Sequence, residues 1–202
     1  MKEDNLERMK AFYERGDVPW DQELPPPEVV EFVKNNQAGR AVDLGCGLGR
    51  ASLYLAKHGW TVDAVDFVEL AIEEAQNRSK DYPQITYYHG SVVELDFLTP
   101  PYDFVLDVGC GHSLKTSLLQ DYKDSIAQLL APRGLFLLYG RLRDGDIDET
   151  DTERSGPRGF DMDALTKTFS DDFTLERLEQ GETTVGDDTW GSAWFWWRKG
   201  ES

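Results

Sequence analysis

The stretch AVDLGCGLGRAS, residues 41–52, places three glycines within five positions directly behind an apolar pair, Ala41-Val42, and an aspartate, Asp43. Apolar residues followed by a glycine cluster and then a helix-forming run read as a strand, a tight turn and the first turn of a helix. Glycine admits positive φ and has no Cβ to hold a ligand away from the backbone, so such a turn is a cradle. In open parallel sheets ligands bind at the carboxyl ends of strands, where this turn falls. The spacing Gly45-x-Gly47-x-Gly49 differs from the G-x-G-x-x-G of dinucleotide sites. Asp43 beside it disfavours a pyrophosphate and favours a ligand carrying an ammonium group.

Outward from the cradle, the chain alternates. Strands are expected over 40–44, 61–65, 85–89, 103–108 and 135–140, with helices over 48–58 and 68–79 and around Leu119–Leu129, the last stopped by Pro132 and Gly134. This order argues for an α/β fold with a parallel sheet covered on both faces. The runs FVL and LFLL are apolar throughout, as doubly covered strands require. Residues 141–159 are polar and read as a long loop. A helix near 161–169, a strand over 173–180, a turn at Gly186-Asp187-Asp188 and a strand over 190–199 follow. SAWFWWRK has rings on both faces and suits an inner strand. Before the cradle, a helix over 3–15, the proline-rich segment VPWDQELPPP and a helix over 28–36 are expected.

The chain has 202 residues, enough to bury roughly 70% of its unfolded surface without a disulfide or metal staple. Two cysteines, Cys46 and Cys110, are too few for a structural zinc site, and no metal is expected. Thiols rather than a bridge, with no leader-like or membrane-spanning run, point to the cytoplasm. Lysine and arginine total 21 against 38 acids, a formal charge of −17. Such a surface repels phosphate backbones and anionic lipid, so neither nucleic acid nor membrane is expected as a partner.

Asp66 ends the strand TVDAVD, 17 residues beyond Gly49. A carboxylate at the second strand's tip can take both hydroxyls of a ribose. An adenosine with a cationic amino-acid tail and no phosphate is S-adenosylmethionine. The motifs VDLGCGLGR, AVDF, YDFVLDVGCGHSL and LLAPRGLFLLYG resemble those of the class I S-adenosylmethionine-dependent methyltransferases, with Arg133 where the family has glycine. VPWD and DVGCGHSL resemble most the thiopurine and tellurite methyltransferase-like small-molecule branch, although the thiopurine members have arginine at the place of Val108. The resemblance implies a Rossmann-like doubly wound sheet of seven strands in the order 3-2-1-4-5-7-6, strand 7 antiparallel. It implies one methyltransferase domain over 1–202, with 1–38 as an N-terminal cap and 39–202 as the core.

By the same resemblance Asp43, Gly45 and Gly47 hold the methionine end, with Gly49 and Cys46 completing the turn, and Asp66 holds the ribose. Phe67, Ser91 and Val92 meet the adenine; Ser91 stands where the family commonly has aspartate. Asp107 and Val108 form the floor, and Trp20 covers the cofactor or closes the acceptor pocket. His112, or Asp107 through water, is the candidate base for a small-molecule acceptor; Tyr13 and Tyr139 are further candidates to face it. Two other readings are a nicotinamide-dependent oxidoreductase and a non-catalytic cofactor-binding protein.

Overall fold

The structure is a computed structural model that describes residues 3–16, 18–143, 145 and 157–201, the side chains of 3–5 excepted. Two helices come first, α1 (Glu3–Arg15) and α2 (Pro27–Asn35). Then follow β1 (Arg40–Leu44), α3 (Arg50–Lys57), β2 (Thr61–Asp66), α4 (Glu69–Arg78), β3 (Ile85–His89) and β4 (Tyr102–Val108). The chain continues with α5 (Leu119–Leu129), β5 (Leu130–Arg141), α6 (Met162–Phe169), β6 (Phe173–Val185) and β7 (Asp188–Lys199). Most of the expected 141–159 loop lies outside the described residues.

The seven strands form one sheet in the order β3-β2-β1-β4-β5-β7-β6. β7 runs antiparallel to both neighbours, and the pairs among β1 to β5 are parallel. This is the sheet that the methyltransferase resemblance implies. Side chains alternate between the faces, so each inner strand supplies two cores. Val42, Leu44, Phe136, Leu138, Phe195 and Trp197 pack on one side with α5 and α6. Ala41, Phe104, Leu137, Trp194 and Trp196 pack on the other with α2 and α3. The aromatic strand β7 lies between β5 and β6, as its two apolar faces require.

Boundaries differ from expectation where a backbone angle decides them. Gly49 has φ +78°, outside the helical region, so α3 starts at Arg50 and not at residue 48. α5 stops at Leu129, before Pro132, because Leu130 is extended and pairs with Tyr102. β5 therefore begins five residues early and carries a bulge over 131–134, with Arg133 left-handed at φ +63°. The β6–β7 hairpin zips to a two-residue turn in which Gly186 has φ +62°, lengthening both strands.

Two of these positions carry opposite stability signs. A Cβ on Gly49 would stand 2.7 Å from the Tyr87 hydroxyl and 3.1 Å from the Ala75 methyl, on top of its positive φ. Gly49→Ala should cost about 2–3 kcal/mol of unfolding free energy. Arg133 pays the left-handed penalty, and its side chain forms an exposed ion pair with Glu201, so Arg133→Gly should gain about 0.5–1 kcal/mol. Urea unfolding of both variants measures the two signs.

Candidate functional site

The ends of β1, β2 and β4 meet beneath a cavity of about 1610 Å³. Single-ligand pockets usually span roughly 300–1,000 Å³, so this one has room for two molecules. Its floor is the glycine turn, which is sewn to β2 by three backbone donors, while a fourth amide holds the Asp66 carboxylate from the α4 side. The amides of Gly45 and Cys46 both bond the Val65 carbonyl, at 2.8 and 3.0 Å. Gly47 N–H donates to Asp66 Oδ2 and Val68 N–H to Asp66 Oδ1, each at 2.9 Å. A Cβ on Gly45 would stand 2.4 Å from that of Cys110, so this glycine lets the first loop touch the loop after β4.

Asp43 and Asp66 flank this turn, are 3% and 4% exposed and line the cavity. The Ser52 hydroxyl donates to Asp43 Oδ2 at 2.6 Å. Burial pushes the Asp43 carboxyl up to about 6, against which the Ser52 bond and the Arg50 charge pull. Burial also raises Asp66, opposed by the amides of Val68 and Gly47. Neither carboxylate forms an ion pair among the described residues. The crevice thus holds two acids that form no ion pair among the described residues and whose hydrogen-bond partners use only part of their acceptor capacity.

Gly45, Cys46, Gly47, Phe67, Val92, Val108 and Trp20 also line the cavity. Trp20 packs edge-on against Phe12 and Tyr13 of α1, at centroid distances of 5.0 and 6.4 Å. The Tyr13 hydroxyl comes within 3.1 Å of where a Gly47 Cβ would be, so α1 reaches across to the cradle. Three residues expected at the site stand behind its wall. Gly49 packs against β3 and α4. Ser91 is held in its own turn, its Oγ accepting the Val93 amide at 3.4 Å and its carbonyl that of Glu94 at 3.2 Å. Asp107 is fully buried; its oxygens accept the amides of Cys110 and Gly111 and the Tyr122 hydroxyl, at 2.8, 2.9 and 2.5 Å. It shapes the loop carrying Gly109 and His112.

His112 also lines the cavity, as do Tyr139, Trp194 and Arg141. The Tyr139 hydroxyl is engaged by Thr183 Oγ1 at 2.7 Å. Arg8 and Arg141 were not singled out from the sequence. Arg141 ends a strand at its carboxyl tip, where site residues fall. Arg8, Met9, Phe12 and Tyr13 share one face of α1 by their spacing, and all four line the cavity. Among the described residues no cluster of three or more His, Cys, Asp or Glu is placed to hold a metal ion, and no helix is long and apolar enough to cross a membrane.

These buried groups make stability pH-dependent. Asp43 and Asp107 both sit at about 6, against 3.8 for the free group. Between those values the folded chain holds protons that the unfolded chain has released, so both contributions fall as pH rises. His112, pushed from 6.5 down to about 4 by burial and then by Arg141 and Arg8, acts in the opposite sense. Asp107→Asn removes one falling contribution. Whatever its absolute loss, its unfolding free energy should gain about 2 kcal/mol on wild type between about pH 4 and pH 7. Denaturant titrations at both pH values check this; a constant difference would contradict it.

Residues 41–134 match a family described as a methyltransferase domain. An uncharacterized methyltransferase of Synechocystis is 34% identical over 100 residues, covering 49% of this chain and 45% of that protein. Thiocyanate methyltransferase 1 of Brassica oleracea is 29% identical over 135 residues, covering 63% of this chain and 59% of that protein. The chain thus spans about half to three-fifths of the length of these curated relatives. Among solved structures, the Burkholderia thailandensis 1,6-didemethyltoxoflavin-N1-methyltransferase, with bound S-adenosylhomocysteine, superposes with a TM-score of 0.75. It is 22% identical and covers 96% of this chain and 86% of that one. Residues 41–134 match a methyltransferase-domain family, and the seven-stranded sheet of the chain has the fold of the solved methyltransferase structure it superposes on.

Proposed function

We propose that this chain transfers a methyl group from S-adenosylmethionine to a small molecule. One observation carries the reading: two buried acids, Asp43 and Asp66, flank a cradle open to a cavity and form no ion pair among the described residues. A pyrophosphate there would add negative charge to negative charge, whereas an ammonium or sulfonium relieves it. Lone pairs left on Asp66 can accept the hydroxyls of a ribose. The backbone of Gly45, Cys46 and Gly47 and the Asp43 side are suited to the amino-acid end, and Phe67 and Val92 to an adenine. Trp20 and Tyr13 cover the site from the N-terminal segment. Gly49, Ser91 and Asp107 support it from behind.

When bound, S-adenosylmethionine supplies an electrophilic methyl group on a sulfur that leaves as a neutral thioether. The chain then has to align an acceptor with that group and exclude water. Positioning of this kind supplies several kcal/mol, up to about 7–11 in the best intramolecular cases. The space beyond one ligand's needs supports a second small molecule. The net charge of −17 speaks against a nucleic-acid acceptor. The Brassica relative, named for thiocyanate, supports a small acceptor as well. The two free cysteines suit a reducing compartment such as the cytoplasm. We read 1–202 as one catalytic unit, 1–38 being its cap.

Incubation with methyl-labelled S-adenosylmethionine and a small-molecule acceptor panel should yield labelled product and S-adenosylhomocysteine. Asp66→Ala should weaken S-adenosylmethionine binding roughly 10- to 100-fold, the worth of hydrogen bonds to a charged group. Tight binding with no turnover across the panel would favour a binding protein, and unchanged affinity in Asp66→Ala would contradict the site.

A further inference from the structure

His112 sits in a 3₁₀ turn, Gly111–Ser113, against the end of β5. It is 7% exposed and lines the cavity. Its Nδ1 accepts the backbone N–H of Arg141 at 2.9 Å. A backbone amide only donates, so Nδ1 carries no proton, and the neutral ring has its proton on Nε2. Nε2 has no hydrogen-bond partner among the described residues. The Cε1–Nε2 edge faces Gly109, another cavity residue: a Cβ there would lie 3.5 Å from Cε1 and 4.0 Å from Nε2.

The charges acting most on this ring are the guanidiniums of Arg141 and Arg8, both on the cavity wall. Arg141 lies over the Trp190 ring, 5.5 Å from its centroid. Of the acids among the described residues that line the cavity, Asp43 and Asp66 lie at the cradle, Asp21, Glu23, Glu28 and Glu31 belong to residues 18–31, and Asp188 is in the hairpin. A very acidic protein thus sets two cations beside its one buried imidazole. Burial and these cations hold the ring neutral, at about 4. Its one basic lone pair is occupied by Arg141 N–H, so the ring can donate into the cavity and cannot take a proton from it.

We propose that His112 is a fixed hydrogen-bond donor to the methyl acceptor, and that the chain acts on acceptors that arrive already ionised, with Arg141 and Arg8 adding positive charge. This rests on the methyl-transfer reading above and replaces the base expected of His112 from sequence. The acceptor's lone pair forms the bond to the methyl carbon. The sulfur–methyl bond breaks with its electron pair left on sulfur. An anion and a sulfonium become two neutral groups, and no proton moves.

Two measurements test it. In ligand-free protein with ¹⁵N-labelled histidine rings, the signals missing from His112→Gln should show a pyrrole-type Nε2 and a pyridine-type Nδ1, unchanged from about pH 5.5 to pH 8. The opposite tautomer, or a titration in that range, would overturn the assignment. Methyl transfer is then followed to 4-nitrothiophenol, which is ionised at neutral pH, and to 2-mercaptoethanol, which is largely protonated. Wild-type kcat/KM should be flat with pH for the first and follow the free thiol's own ionisation for the second. His112→Ala should raise KM for 4-nitrothiophenol roughly 10- to 100-fold with S-adenosylmethionine affinity unchanged. His112→Gln, which keeps an N–H donor but has no basic nitrogen, should recover most of that loss. An enzyme ionisation that controls the rate and vanishes in both variants would establish a base instead. Absence of S-adenosylmethionine binding would strike the methyl-transfer reading, while the tautomer measurement would still decide the state of His112.

Discussion

The Asp66 carboxylate is the joint on which the site depends. It accepts one amide from the glycine turn and one from the segment entering α4, so the ends of β1 and β2 are held at a fixed spacing. Burial of that charge is costly and raises its proton affinity; the two amides offset part of the cost. The shape of the cradle is therefore held by the chain's own hydrogen bonds. Gly45 completes the joint on the other side by letting the loop after β4 come close to the turn. Three strand ends become one surface.

Both signs of charge line the cavity. The cradle holds Asp43 and Asp66, and His112 lines the same cavity as a donor, with the charges of Arg141 and Arg8 acting on it. A cofactor with a cationic tail and an acceptor with negative charge would each meet the opposite sign. Neutral His112 and the raised carboxyl groups have the same origin, since burial penalises whichever form is charged. That preference sends the imidazole down and the aspartates up. N–H donors then decide the remaining geometry.

Much of this was legible in the sequence because it depends on spacing and residue type. The apolar strands alternating with helices argued for a doubly covered parallel sheet and the two-faced aromatic strand for an inner position, while the motif resemblance implied the strand order that is observed. What was not legible depends on contacts between distant residues. Asp107 looks like a site acid by its strand-end position, yet Tyr122, fifteen residues on, closes it off. Gly49 belongs to the motif by pattern, yet its missing Cβ makes room for Tyr87 and Ala75. The early start of β5 arises from pairing between Leu130 and Tyr102, which no local pattern encodes. The tautomer of His112 is set by an amide twenty-nine residues away. Sequence shows that a group exists; which of its lone pairs is taken is a property of the fold.

The central claim is that the crevice between Asp43 and Asp66 takes a phosphate-free adenosine with a cationic tail. Calorimetric titration of the intact chain with S-adenosylhomocysteine, and in parallel with NADH, tests it most directly. Saturable binding of one S-adenosylhomocysteine per chain and none of NADH is the expected result. Binding of NADH in its place, or of neither, would contradict the account.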